Sequence, residues 1–90
     1  MKTIYKYPLP KRTYFTLSLP QGAEILTVQM QGDEPYLWAV VETDAPLQYR
    51  YFRMVGTGHP FSDEHARYIS TFQTGPFVFH IFELDQSNGQ

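Results

Sequence analysis

Apolar and polar residues alternate with a period of two through much of the chain. Phe15, Leu17 and Leu19 interleave with Tyr14, Thr16 and Ser18, the pattern of a strand with one buried and one wetted face. Leu26, Val28 and Met30 interleave in the same way with Thr27, Gln29 and Gln31, which predicts that these three apolar residues point to one side. The run Tyr36-Leu37-Trp38-Ala39-Val40-Val41 is apolar on both faces and reads as a strand covered on both sides. Residues 2–7, 47–55, 67–73 and 77–84 are further extended segments, with Tyr49, Tyr51, Phe52, Phe77, Phe79 and Phe82 supplying strand-favouring aromatics.

Proline and glycine punctuate these runs. Pro8-Leu9-Pro10, Pro20-Gln21-Gly22, Gly32-Asp33-Glu34-Pro35, Thr43-Asp44-Ala45-Pro46, Gly56-Thr57-Gly58-His59-Pro60 and Thr74-Gly75-Pro76 each break a strand. Ser62, followed by Asp63 and Glu64, is a suitable N-cap for a short helical turn over residues 62–67. Short strands at regular spacing with turn signals between them predict an all-β fold, or mainly β with that one helical turn, as an antiparallel β-sandwich or small barrel. Residues 1–85 read as a single β-rich domain, and the Ser, Asn, Gly and Gln of residues 86–90 as a flexible C-terminal tail.

Composition narrows the setting. Ninety residues hold one core, and a domain of that size buries only about 60% of its unfolded surface. Small domains gain stability from disulfides, metals or self-association. Cys is absent, so a homo-oligomer is expected. Charged residues make up 18% and aromatics 17%, a balance that suits a folded sheet with an interface, because Tyr and Trp concentrate at interfaces. The net charge of −2 and the lack of any Lys/Arg run argue against general nucleic-acid binding, which needs a basic face. No apolar stretch approaches the length of a membrane span or a signal peptide, so no membrane association and a cytoplasmic location are expected, and the missing cysteines agree.

The segment Gly56-Thr57-Gly58-His59-Pro60 is the least ordinary in the chain. Two glycines around Thr57 allow positive φ and close approach to a ligand, and successive amides in such a turn can form an anion nest. A tight turn that needs glycine for its geometry is the plainer account. Neither a dinucleotide fingerprint nor a Walker loop is present. Arg50, Arg53 and Arg67 flank the aromatic strands; Arg50 shares a face with Phe52, and Arg53 with Tyr49 and Tyr51. Arg beside Tyr can grip a phosphate or stack on a base, although an exposed Arg lying over aromatic surface is common in sheets. Any anion site therefore falls on Tyr51, Arg53, Gly56, Thr57, Gly58, His59 and Arg67. His59, Asp63, Glu64 and His65 lack the spacing of a metal site, so no metal is expected. Ser62, Asp63 and His65 contain the residue types of a catalytic triad but lie in one short turn, where such side chains seldom converge. His80 alternates with Phe79 and Ile81 and reads as a hydrogen-bonded strand residue ahead of a pocket or pH-sensitive role. Trp38 and Tyr36 read as core, with an interface as the alternative.

Several stretches resemble a family of short, functionally uncharacterised proteins of bacteriophages and prophages. They are Ile4-Tyr5-Lys6-Tyr7-Pro8-Leu9, Leu19-Pro20-Gln21-Gly22-Ala23-Glu24-Ile25-Leu26, Leu37-Trp38-Ala39-Val40, Gly56-Thr57-Gly58-His59-Pro60, Tyr68-Ile69-Ser70-Thr71-Phe72-Gln73 and Phe77-Val78-Phe79-His80-Ile81-Phe82-Glu83. No catalytic residues are carried over from the resemblance, and no cofactor is expected. It implies the setting of a phage accessory protein of anti-defence type in the bacterial host cytoplasm. The expected function is non-enzymatic capture of a small anionic or nucleotide-derived ligand by a homo-oligomer. The alternatives are a protein–protein inhibitor of a host defence protein, anti-CRISPR-like in its acidic mimicry, and a small hydrolase resting on His59 and His65.

Overall fold

In the computed structural model, which describes residues 1–85, the alternation resolves into seven strands with no helix among the described residues. They are β1 (Lys2–Pro8), β2 (Tyr14–Pro20), β3 (Glu24–Gln31), β4 (Glu34–Glu42), β5 (Leu47–Gly56), β6 (Arg67–Thr74) and β7 (Phe77–Leu84). Two antiparallel sheets form, one of three strands in the order β1-β4-β3 and one of four in the order β2-β5-β7-β6. Two hairpins have two-residue turns, Gly32-Asp33 and Gly75-Pro76. Gly32 and Gly75 take the first central position at φ 63° and 57°, the positive-φ requirement of a type II′ turn.

The sheets face each other as a sandwich and do not close into a barrel. Its core is Phe15 and Leu19 from β2, Val28 from β3, Leu37, Ala39 and Val41 from β4, Phe52 from β5 and Ile81 from β7, all buried. Phe15 stacks on Phe52 at 5.4 Å between ring centroids. The edge strands β3 and β6 are joined by side chains: the Ser70 hydroxyl donates to the Val28 carbonyl at 2.9 Å and meets the Thr27 hydroxyl at 3.3 Å. Those bonds link one pair of sheet edges without a shared backbone ladder.

Three expectations are corrected. Residues 62–67 form no helix: a single hydrogen-bonded turn at Glu64-His65 is present, closed by the Ala66 amide on the Asp63 carbonyl at 3.3 Å. The segment is too short to offset the cost of nucleating a helix, and the Asp63 carboxylate that would sit in the first turn is drawn to Arg53 instead. Leu26 does not share a face with Val28 and Met30. A β-bulge between Ile25 and Thr27 resets the register, so Ile25 packs toward the core and Leu26 is exposed, as an extra residue in one strand demands. The strand β4 is covered on one side only: Leu37, Ala39 and Val41 are buried, while Tyr36, Trp38 and Val40 on the other side are half-buried. The expected tail at residues 86–90 lies outside the described residues.

Candidate functional site

The connection between β5 and β6 folds back over the outer face of the four-stranded sheet. Register places Tyr14 beside Arg53, Thr16 beside Tyr51 and Ser18 beside Tyr49 on β2 and β5, and Phe82 beside both Arg53 and Tyr68 on β7 and β6. All of these side chains point away from the core. Phe61 lands on Phe82 with ring centroids 4.4 Å apart. The Arg53 guanidinium lies 5.0 Å from the Tyr14 ring centroid and 5.4 Å from that of Phe61, and its Nη atoms donate to Asp63 Oδ2 at 2.7 Å, to the Tyr14 hydroxyl at 3.0 Å and to the Pro60 carbonyl at 3.1 Å. Arg53 is 12% exposed at its side chain, and its Nε is buried without a partner. Its fork fastens the loop to the sheet.

Further along this face runs a chain of side-chain hydrogen bonds. Thr57 Oγ1 meets His80 Nε2 at 2.7 Å, His80 Nδ1 meets Thr71 Oγ1 at 2.9 Å, and Tyr68 Oη meets Thr71 Oγ1 at 2.8 Å. His80 is thus a half-buried strand residue with both ring nitrogens satisfied. The glycine loop is a turn built for geometry. Thr57 and His59 spend their amides on the carbonyls of Val78 and Gly56, each at 3.0 Å, so those two N–H groups do not point into an anion nest. Gly58 has φ 90°, and a Cβ on Gly56 would sit 3.2 Å from the His59 ring; the first glycine allows close approach and the second a left-handed backbone.

Arg67 lies elsewhere. It and Arg50 point to the inner side of the sheet, where both bind Glu83 on β7. Arg50 Nε donates to Glu83 Oε2 at 2.6 Å and Arg50 Nη2 to Oε1 at 2.8 Å, while Arg50 Nη1 reaches the Ala23 carbonyl at 2.6 Å. Arg67 Nη2 also donates to Glu83 Oε1. Burial pushes the Glu83 carboxyl up, but the bonds and charges of Arg50 and Arg67 outweigh it and hold Glu83 below the usual carboxylate range. The seven residues proposed from the sequence therefore do not converge. Tyr51, Arg53 and Thr57 belong to the outer face, Gly56 and His59 line a cleft at the end of the sandwich, Gly58 is the exposed turn residue between Thr57 and His59, and Arg67, itself largely exposed, pairs with the half-buried Glu83.

Beside the fastened loop is a hollow of about 500 Å³ lined by Tyr14, Thr16, Tyr51, Asp63, Glu64 and His65. It is aromatic and acidic. The Asp63 carboxylate is bonded to Arg53 and does not serve to orient His65. Among the described residues no three His, Asp or Glu side chains are grouped to hold a metal ion. Sequence reasoning missed Glu83 as the hub of two arginines and Asp63 as the partner of Arg53. An acid inside the apolar run of residues 77–84 was the available signal for the first, since a carboxylate there requires cations.

No helix among the described residues is long and apolar enough to cross a membrane. No curated protein and no solved structure matches the chain. A family does match over residues 1–90, and the chain belongs to it: Domain of unknown function (DUF7352).

Proposed function

We propose that this protein is a non-catalytic binding protein that docks a basic protein partner on the outer face of its four-stranded sheet. One observation carries the reading. Leu47, Tyr49, Tyr14, Tyr68 and Phe61 stand on that face, or on the loop laid across it, with 69%, 64%, 54%, 56% and 40% of their surface exposed. An apolar, tyrosine-rich surface of this kind marks an interaction site, because Tyr gives large contact area and a polar tip at little entropic cost. Charge selects the partner. Arg53, the arginine near the centre of the face among the described residues, is neutralised by Asp63, while Glu64 adds a carboxylate to the hollow beside Tyr14 and Tyr51. Basic side chains on a partner meet complementary charge there.

The likeness to phage proteins supports an anti-defence setting, with a host defence protein as the partner. Capture of a small anion by Arg53 and Arg67 has less support, since both already bind carboxylates of this chain. The hydrolase reading has none of the oriented base that a nucleophile requires.

The test compares the wild type with Tyr49→Ala, Tyr14→Ala and, on the opposite sheet, Ile4→Ala. Proteins captured from a bacterial lysate are purified and titrated against each variant. Support is a partner whose affinity falls about 30-fold, the loss of a hot-spot side chain, with Tyr49→Ala or Tyr14→Ala, stays unchanged with Ile4→Ala, and weakens with salt. The reading is overturned by partners indifferent to both tyrosines, by the absence of any partner, or by self-association that Tyr49→Ala abolishes, which would place a second copy on this face.

A further inference from the structure

The two sheets part at the end of the sandwich where four connections converge: residues 11–13 ahead of β2, the Gly32-Asp33 turn, the loop after Gly56 and the Gly75-Pro76 turn. Between them lies a cleft of about 450 Å³, within the range of about 300–1,000 Å³ typical of small-molecule sites. Its floor is Met30, Met54, Phe72, Phe77 and Phe79. Phe72 and Phe79 pack with centroids 5.7 Å apart, and Phe77 and Phe79 at 6.3 Å. Phe77 is 62% exposed. The fully buried side chains Phe52, Leu19, Leu37 and Ile81 do not line the cleft. Met30, Met54 and Phe79 only margin that core. Gly56 contributes no side chain to fill the space.

An apolar floor left open to water is unfavourable in proportion to its area, and two methionines can reshape around an apolar guest. The rim is polar. Lys11 and Arg12 stand on it with His59, and Asp33 is the one carboxylate that lines it. Lys11 lies 4.0 Å from Glu34. Arg12 is exposed and forms no ion pair among the described residues. With Lys11 answered by Glu34, Arg12 is the cation of this mouth that no ion pair among the described residues commits.

The geometry points to a binding site for a small amphipathic monoanion, a medium-chain carboxylate, with its chain on the Met30, Met54 and Phe79 floor and its carboxylate at Arg12. This is independent of the docking face, which lies on the outer side of the four-stranded sheet. It uses Gly56 and His59 of the glycine loop as wall, and does not use Arg53 or Arg67.

Decanoate, uncharged decanol and decylammonium serve as probes, read by the methyl resonances of the chain's three methionines. Met1 is the internal control, since its amino group binds Glu42 at the opposite end of β4 from Pro35. The expected result is saturable one-to-one binding of decanoate that shifts Met30 and Met54 but not Met1. Arg12→Glu, on an exposed loop, then weakens decanoate about tenfold or more, as loss of a charge-assisted bond does, and leaves decanol unchanged. The proposal is overturned if decanoate fails to saturate, if it shifts all three methyls alike, if decylammonium binds as well, or if Arg12→Glu has no effect.

Discussion

Arg53 and Asp63 lie ten residues apart in the chain and close onto each other at 2.7 Å, so the sheet holds down its own overlying loop. Arg53→Ala therefore acts first on the fold, not on a ligand. It strands the Asp63 carboxylate, 27% exposed, and releases the Pro60 carbonyl. The expected loss is about 1.5–3 kcal/mol, as for a hydrogen bond to a charged group. Urea denaturation measures it, and hydrogen exchange over residues 57–66 accelerates in the variant. Arg53→Lys recovers little, because three acceptors need the guanidinium fork. An unchanged urea midpoint in Arg53→Ala would show that the pair does not anchor the loop.

Glu83 makes stability fall in acid. Arg50 and Arg67 hold its carboxyl below the ordinary carboxylate range in the folded chain, so between that depressed value and the unfolded one, about 4.3, the unfolded chain binds more protons. Stability then rises with pH. The contribution of Glu83 is complete above the unfolded value and disappears as pH falls through the folded one. Glu83→Gln is less stable at neutral pH, and its midpoint changes less with pH across that acid window. Parallel pH profiles for the two proteins would remove Glu83 as the source.

The strands were legible in the sequence because one-sided burial imposes a period of two, and β2 shows it residue by residue in Phe15, Leu17 and Leu19. An antiparallel sandwich or small barrel followed from that period and from Gly and Pro at the turns, and the choice between them rests on strand order, which local pattern does not carry. What stayed hidden depends on contacts far apart in the chain. The bulge at Leu26 is a mismatch against β4 and leaves no local mark in the sequence of β3. The alternation placed Arg50 beside Phe52 correctly, yet Arg50 could be assigned to Glu83 only once β5 and β7 were neighbours. Arg53, Gly58 and Arg67 looked like one site because they are near in sequence; sheet pleating sends Arg53 and Arg67 to opposite sides.

Phe52 is fully buried and stacked on Phe15. Phe52→Ala removes that stack and leaves a cavity, and is expected to cost about 3–5 kcal/mol, enough to threaten folding in a domain this small. Tyr49→Ala, on an exposed outer position, is expected to stay within about 0.5 kcal/mol. Chemical denaturation of both variants checks the contrast. A large loss in Tyr49→Ala would mean that this ring supports the fold and is not held out for a partner.

The two glycines of the β5–β6 loop are needed for different reasons, and paired substitutions separate them. Gly58 has φ 90° with nothing within 4 Å of an added Cβ, so Gly58→Ala carries only a backbone cost of about 1–2 kcal/mol. Gly58→Asn costs less, since Asn tolerates the left-handed region better. At Gly56 the obstacle is a neighbour: the new Cβ would meet the His59 ring at 3.2 Å. Gly56→Ala therefore requires the His59 ring to shift by a few tenths of an ångström, and is expected to be less favourable in the wild type than where that ring is absent. In a His59→Ala background the obstacle is gone, and the lower entropy of the unfolded chain makes the same change neutral or favourable by up to about 1 kcal/mol. Urea midpoints of the four proteins close this cycle. Equal costs in both backgrounds would mean that the backbone, and not His59, keeps position 56 a glycine.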